Sequence, residues 1–484
     1  MYGLQDFYYH AIPALPEIIL AVLGLLILLY GVITDGRGTN KVTLITVAAF
    51  AVTALVISGM PSTPRLGFFG SYVHDSFGQF MKLLVLLGGA SCLAMTLSYN
   101  TQEKLNRFEF PVLILFSVLG MMFLISAGDL MLTYVGIELM SLPVYVLVSM
   151  RRDFVKSSEA GIKYFVLGAL ASGLILYGIS MIYGFSGTVN FARLADTLAL
   201  QDGISIALAF GMIMLLCGIA FKLSAVPFHM WTPDVYEGAP TSVTAFMAIV
   251  PKVAVLALLA RFLFVGFADM MQYWQDVLWI IAAASMIIGA FAAIPQTNIK
   301  RLLAYSTIGH IGYALVGLTA GGFEGVRSMI IYIAIYMIMN IGVFAILMMM
   351  RQNDRQTSDI ESLSGLGKTH PGIAFMMTLL MFSMAGIPPL AGFFSKLFVF
   401  QAAVAAELYG LAILGVLTSV VAAYYYLRII KIMYFDEAPH TLDQPTRDLE
   451  VISGVATIFV VGFILFPGAL VHAAQVATEA LMLV

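Results

Sequence analysis

The stretch FKLSAVPFHMWTPDVYEGAP, Phe221 to Pro240, decides how the rest of the chain is read. It follows an apolar run that starts near Ile204, and it places Lys222 where a bilayer-spanning helix carries hydrocarbon. A charged side chain at that depth costs roughly 3 kcal/mol or more, so it is expected to face a polar cavity or a partner and to have a function. Pro227 and Pro233 are expected to interrupt the helix just beyond it. An interrupted helix beside a buried charge is how membrane transporters build ion sites near the bilayer midplane.

Composition agrees with that setting. The 484 residues are 61% hydrophobic and only 11% charged, whereas soluble domains run near a quarter charged. With a mean hydropathy of +0.96 the chain reads as an all-α polytopic membrane protein. A net charge of -3 gives no sign of nucleic-acid binding. Cys92 and Cys217 both fall in apolar runs and form no CxxC or Cys/His cluster, so neither a disulfide framework nor a metal site is suggested. The N-terminus lacks a basic region and a small-residue cleavage site, so the first apolar run reads as a retained span.

About fourteen apolar runs have spanning length, roughly twenty residues each. Their limits are near 15–35, 42–60, 78–98, 109–126, 129–149, 159–184, 204–228, 240–262, 274–294, 300–320, 326–350, 372–405, 408–435 and 450–478. The odd-numbered loops between them hold fifteen basic residues, among them Arg37, Arg151, Arg152, Lys156, Lys300, Arg301, Arg351 and Arg428. The even-numbered loops hold four: Arg65, Arg193, Arg261 and Arg327. Such an asymmetry is expected to put the odd loops in the cytoplasm and both termini on the opposite side.

Five basic residues are left over once the loops and loop edges are tallied: Lys82, Lys163, Lys222, Lys252 and Lys396. Lys82, close to the even-loop end of span three, is expected to snorkel to the interface. Lys163 follows Glu159 by four residues, which fits either an interfacial ion pair or a proton-uptake site. Lys252 lies twelve residues past Pro240, near mid-membrane at about 1.5 Å per residue. Glu138 is the one carboxylate far from either end of its span, and His310, ten residues past Lys300, shares that level.

Spans seven and twelve are both long, both contain proline, and each holds a deep lysine: Lys222 beside Pro227, and Lys396 after Gly386-Ile387-Pro388-Pro389. They are five spans apart, an odd number, so a second copy of the first unit must be inverted. The expected organisation is a three-helix N-terminal segment (1–108), a first repeat of spans four to eight (109–262), a second inverted repeat of spans nine to thirteen (274–435) and a C-terminal helix (450–484). Burial disfavours the charged form of a lysine, and a carboxylate at about 7 Å restores it by about 2.4 kcal/mol at an effective dielectric near 20. A row of Glu138, Lys222, Lys252, His310 and Lys396 therefore suits the passage of protons better than the binding of an organic solute. Static ion pairs joining helices are the other reading, and three deep lysines against one deep carboxylate speak against it.

The chain resembles a known family in these segments. PFHMWTPDVYEGAP (Pro227–Pro240), GIELMSLP (Gly136–Pro143), SSEAGIKYF (Ser157–Phe165), PQTNIKRLLAYSTIGHIGY (Pro295–Tyr313) and AGIPPLAGFFSKLFVF (Ala385–Phe400) look like the antiporter-like membrane subunits of proton-pumping NADH:quinone oxidoreductase, respiratory complex I, and most like the N type. The L and M subunits and Mrp-type cation/proton antiporters usually read WLPD where this chain has Trp231-Thr232-Pro233-Asp234. The resemblance implies that Glu138 modulates a pumping lysine, Lys222, that Lys252 connects onward, that His310 lies between half-channels, and that Lys396 serves the outer half. Lys163, His229 and Lys300 match further positions of the family pattern. It also implies a multi-pass protein of the bacterial inner membrane, assembled with other membrane-arm subunits, with NAD, FMN, iron–sulfur clusters and quinone held by partner subunits and none in this chain. The alternatives are an Mrp-type Na+/H+ antiporter subunit and a structural membrane scaffold.

Overall fold

Apolar residues occupy every side of the run Thr241–Arg261, and a helix without a polar stripe is stable only when surrounded. In the computed structural model every residue of that helix is buried. The structure describes residues 10–34, 38–200, 205–437 and 442–483. Arg37, both chain ends, and the edges of spans one and seven at 35 and 204 lie outside the described residues.

In chain order the helices are α1 (Leu15–Ile33), α2 (Thr39–Gly59), α3 (Ser76–Gln102), α4 (Glu109–Ile125), α5 (Leu130–Val148), α6 (Val155–Ser186), α7 (Phe191–Ala199), α8 (Ile206–Leu223), α9 (Trp231–Gly238) and α10 (Thr241–Arg261). They continue with α11 (Met271–Ala293), α12 (Ile299–Ala320), α13 (Gly322–Met349), α14 (Leu366–Thr369), α15 (Pro371–Ala385), α16 (Ala391–Ala405), α17 (Tyr409–Phe435), α18 (Arg447–Gly462) and α19 (Gly468–Met482). Two antiparallel hairpins, β1 (Arg65–Gly67) with β2 (Tyr72–His74) and β3 (Arg351–Gln352) with β4 (Arg355–Gln356), sit in loops. Helix α10 packs against α3, α4, α5, α8 and α13, and α13 is in turn covered by α16, α18 and α19. Peripheral helices such as α1, α2, α6 and α17 turn apolar side chains outward, as a lipid-facing wall requires.

Among the described residues eleven helical segments are long and apolar enough to cross a membrane, and α4, α15 and α16 are shorter apolar helices. The interruptions expected at spans seven and twelve are present, although not where the prolines alone would put them. Helix α8 stops at Leu223 because Ser224 adopts a left-handed backbone (φ 65°), three residues before Pro227. Pro233 lies in the first turn of α9, where a missing N–H costs nothing, so it begins a helix and breaks none. Helix α15 ends at Gly386 (φ 88°), a conformation open to glycine without penalty. The peptide bonds Val226–Pro227 and Pro388–Pro389 are cis. Span fourteen, expected as one helix, is two: α18 and α19 are separated at Pro467, which has no N–H to offer the Phe463 carbonyl.

Lys82 does not snorkel. Its side chain is 3% exposed and pairs at 2.6 Å with Glu17, in the first turn of α1, while the Tyr72 hydroxyl accepts from Lys82 (2.6 Å) and donates to Glu17 (2.7 Å). The ion pair and the phenol satisfy one another, which removes the drive to reach water. Burial, and then the Glu17 charge, push the Tyr72 hydroxyl well above its ordinary pKa, so it stays a donor. Beside it, Arg261 makes a bidentate pair with Asp75 (2.8 and 2.9 Å) and donates to the Ile125 carbonyl. Arg261 therefore closes the even-loop end of the bundle core as a buried side chain.

Candidate functional site

A helix that stops within the bundle leaves its last carbonyls without N–H partners and with a partial negative charge. At the end of α8 those carbonyls are taken up one by one. Ala225 N–H donates to the Ala220 carbonyl (2.9 Å), the Trp231 indole to Phe221 (3.1 Å), and the Lys252 ammonium to Lys222 (3.2 Å). Lys252 also donates to the Ser224 hydroxyl at 2.8 Å and lies 5.3 Å from the Trp231 ring centre. The break thus brings Lys252 of α10 against the turn that carries Lys222.

Lys222 itself points the other way, toward α5. Its ammonium donates to the Ser141 and Tyr145 hydroxyls, both at 3.0 Å. Residues three, four and seven apart share a helix face, so Glu138, Ser141 and Tyr145 form one stripe. Glu138 is half-buried and makes no ion pair with Lys222; it accepts a hydrogen bond from Ser172 of α6. Two hydroxyls of α5 therefore stand beside the carboxylate on the face that meets the ammonium. The spacing of Ser141 and Tyr145 after Glu138 was available in the sequence, but hydroxyls in membrane helices are too common to mark a site unaided.

The second break repeats the principle with a different donor. Lys396, in α16 after the interruption, folds back onto the last carbonyls of α15, donating to Met384 (3.1 Å) and Ala385 (2.9 Å) and to Ser419 of α17 (2.7 Å). It lies 5.0 Å from the centre of the Tyr313 ring. His310, on the same helix as Tyr313, is held at both nitrogens by phenols, Tyr332 at 2.6 Å and Tyr426 at 3.1 Å, and Tyr426 is bonded to Ser306 (2.6 Å). The expected path residues thus form two clusters, Lys222 with Lys252 and His310 near Lys396. Among the described residues no side chain hydrogen-bonds to members of both.

The three further positions are placed apart from these clusters. Lys163 is part-exposed and sits in a salt-bridge network at the odd-loop end: it pairs with Glu159 (2.7 Å) and Asp234 (2.8 Å), Arg301 joins Asp234 (2.6 Å) and Glu237 (3.2 Å), and Lys156 joins Glu237 (2.9 Å). A cavity of about 170 Å³ lies among Lys156, Lys163, Asp234 and Glu237. Burial pushes the Asp234 carboxyl up, but its pairs with Lys163 and Arg301 outweigh this and hold it below its ordinary value. For Glu237 burial is likewise outweighed, by Lys156 and Arg301. His229 is half-buried in the turn between α8 and α9, where its carbonyl accepts from Thr232 N–H. Lys300 is buried and donates to the Ala239 carbonyl at 2.8 Å, tying α12 to the end of α9. Among the described residues no group of three or more His, Cys, Asp or Glu side chains is arranged to hold a metal.

Residues 127–422 match the family described as NADH:quinone oxidoreductase/Mrp antiporter, TM, which takes in both breaks and every lysine of the two clusters. The chain belongs to this family. Similar curated proteins include NADH-quinone oxidoreductase subunit N of Rhodospirillum rubrum, 52% identical over 97% of each chain. The subunit N of Parvibaculum lavamentivorans is 51% identical over 97% of this chain and 98% of the relative. Among solved structures, a chain of respiratory complex I from Thermus thermophilus with bound Aureothin superposes with a TM-score of 0.80 at 32% identity, covering 94% of this chain and 98% of that one. A chain of the Mrp complex from Dietzia sp. DQ12-45-1b has a TM-score of 0.81 at 23% identity, over 99% and 98%, and shares the fold. The family's two branches therefore have one backbone architecture, and the sequence identity lies with the oxidoreductase subunit.

Proposed function

We propose that this chain is a proton-translocating membrane-arm subunit of NADH:quinone oxidoreductase, of the subunit N type. Protons pass through its buried Glu, Lys and His side chains, driven by electron transfer from NADH to quinone in partner subunits. The observation that carries this reading is the first break: one interruption brings Lys252 of α10 against the turn that carries Lys222 and aims Lys222 at the α5 face of Glu138. Such a set can hold or release a proton when a neighbouring charge moves. Glu138, Lys222, Lys252, His310 and Lys396 form the path, with Lys163, His229 and Lys300 in supporting places. Segments 109–262 and 274–435 act as two inverted proton half-channels between the 1–108 and 450–484 segments. The odd loops face the cytoplasm of a bacterial inner membrane and both termini face the periplasm. NAD, FMN, iron–sulfur clusters and quinone belong to the partner subunits.

The test is proton pumping in vesicles containing the assembled complex, with Lys222→Ala and Glu138→Ala compared with wild type and assembly checked on a native gel. Turnover and gradient are expected to fall together in an assembled complex. If both stay normal, the buried charges are structural and the chain is a scaffold. Sodium-dependent flux without NADH oxidation would move the reading to an Mrp-type antiporter.

A further inference from the structure

Lys222 needs a supply of protons, and one of its two hydroxyl partners, Tyr145, borders a groove that the five expected path residues do not line. A groove of about 420 Å³ runs along the seam of α5 and α6, from Arg152 and Ser158 at the odd-loop end, past Ser149, to Phe165 and Tyr145. Tyr145 closes it. Its side chain is 7% exposed, one side bordering the groove, and its hydroxyl is 3.0 Å from the Lys222 ammonium. The cavity at Lys163 and Asp234 shares no lining residue with the partners of Lys222.

The phenol is held in this place by construction. Its ring stands edge-on to Tyr164 (centroids 4.7 Å, 86°), which stacks on Trp231 (4.5 Å, 17°), whose indole is fixed to the end of α8. On α6 the hydroxyl lies against Gly168, where a Cβ would come within 2.1 Å of it. Only glycine leaves room there for a phenolic oxygen, so the residue at 168 and the hydroxyl at 145 belong to one arrangement.

We propose that the α5/α6 groove is the water route by which protons reach Lys222 from the odd-loop side, and that the Tyr145 hydroxyl is the relay at its end. The proposal rests on the proton-translocating reading given above. In the transfer a hydronium in the groove gives one proton to the phenol oxygen as the phenol's own proton passes to the neutral Lys222 amine. The hydroxyl is regenerated and the lysine gains one positive charge. The exposed lip of the groove, at Val146 and Ile162, is apolar, and the polar groups Ser149, Ser158 and Arg152 line its odd-loop end.

Two measurements on the assembled complex in inverted vesicles test this. A Ser149→Cys variant, probed with a charged, membrane-impermeant thiol reagent, is expected to react about tenfold faster than Leu170→Cys, an exposed position on α6 away from the groove. Cys92 is buried and Cys217 half-buried, so the unsubstituted chain supplies the background. Equal rates would overturn the route. Tyr145→Phe keeps the ring and removes only the hydroxyl; turnover and gradient are expected to fall roughly tenfold or more, with a larger solvent deuterium isotope effect as proton supply becomes limiting. Wild-type rates for Tyr145→Phe alongside a dead Lys222→Ala overturn the relay and leave the function of the subunit standing; wild-type rates for both overturn the two together. Should Tyr145→Phe not assemble, Ser149→Trp, which fills the groove and leaves the phenol, is expected to give the same slowing, and normal rates there count against the proposal.

Discussion

The two interrupted segments solve one physical problem in opposite ways. At the first, α8 ends one residue after Lys222, and the freed carbonyls are satisfied from elsewhere, by Trp231 and by Lys252 of the next long helix. At the second, the lysine that follows the break turns back and satisfies the carbonyls of α15 itself. Lys222 is consequently released from its own helix end to bond two hydroxyls on α5, while Lys396 is pinned by two carbonyls and one hydroxyl. Carbonyls cannot give up a proton or reorient away from an ammonium, whereas hydroxyls can do both. A deep lysine beside a broken helix can thus be built as a mobile donor or as a fixed one, depending on which side of the break it occupies.

Replacing each lysine by methionine separates the two arrangements with the largest expected effect. Lys396→Met leaves the Met384 carbonyl without its donor in a buried turn, at about 1–3 kcal/mol, while the Ala385 carbonyl keeps only a long bond from the Ser419 hydroxyl (3.4 Å). Lys222→Met leaves only Ser141 and Tyr145, whose hydroxyls can rotate; a serine in a helix readily bonds its own preceding turn. Thermal unfolding of the assembled complex, followed by native gel, is expected to shift downward clearly for Lys396→Met and little for Lys222→Met. The pumping defect is expected to run the other way, larger at Lys222. Equal shifts in both assays would mean that the two breaks are equivalent after all.

How far these contrasts could be read beforehand depends on how local their causes are. The spans are local, since about twenty apolar residues must cross a bilayer, and among the described residues eleven long apolar helices and three shorter ones overlap the expected runs. The deep charges are equally plain, because a lysine among apolar residues stands out in any window. The position of the first break was off by three residues, since a non-glycine residue in a left-handed conformation, Ser224, gives no warning that proline gives. The snorkelling expected of Lys82 fails because its partner, Glu17, is 65 positions away in another helix, and nothing in the sequence joins the two. The phenols around His310 and the stripe of Ser141 and Tyr145 were invisible for a different reason. Tyrosine and serine are ordinary in membrane helices, and only the packing of α5 against α8, or of α12 against its neighbours, gives them a role.

The residues that end the two helices provide a sharper, smaller test. Gly386 has φ 88°, and a Cβ there would meet the Lys396 side chain at 2.9 Å. Gly386→Ala is expected to cost about 1–2 kcal/mol from backbone handedness, with a further cost as Lys396 is displaced. Ser224 already pays the left-handed penalty, and its hydroxyl accepts from Lys252 at 2.8 Å. For Ser224→Gly the relief of about 1 kcal/mol offsets a lost hydrogen bond of similar size, so stability should hardly change. Urea unfolding of the two variants reads the difference. A Ser224→Gly change as damaging as Gly386→Ala would show that the Lys252 contact, and not chain geometry, maintains the first break.

The smallest expected effect concerns pH and belongs to the first break alone, because only there is the following short helix tied down by a charge network. Asp234 and Glu237 of α9 are both held below their ordinary carboxylate values by Lys156, Lys163 and Arg301, against the opposing pull of burial. A carboxylate with a depressed folded-state value contributes stability that is present above its unfolded value and is lost as pH falls through the folded one. The docking of α9 should therefore be unchanged between about pH 7 and pH 5 and weaken only below about pH 4, where the unfolded chain begins to take up protons. Hydrogen exchange of α9 amides should speed up in that acid range while α16, which has no such network, is unaffected. Both groups are partly exposed, so water screens the pairs and the change should be modest. Asp234→Asn with Glu237→Gln should remove the acid dependence and loosen α9 at all pH values. Were α9 to loosen already near neutrality, the groups controlling it would have to be ones that titrate there, and the carboxylate network would not be what holds the first break in place.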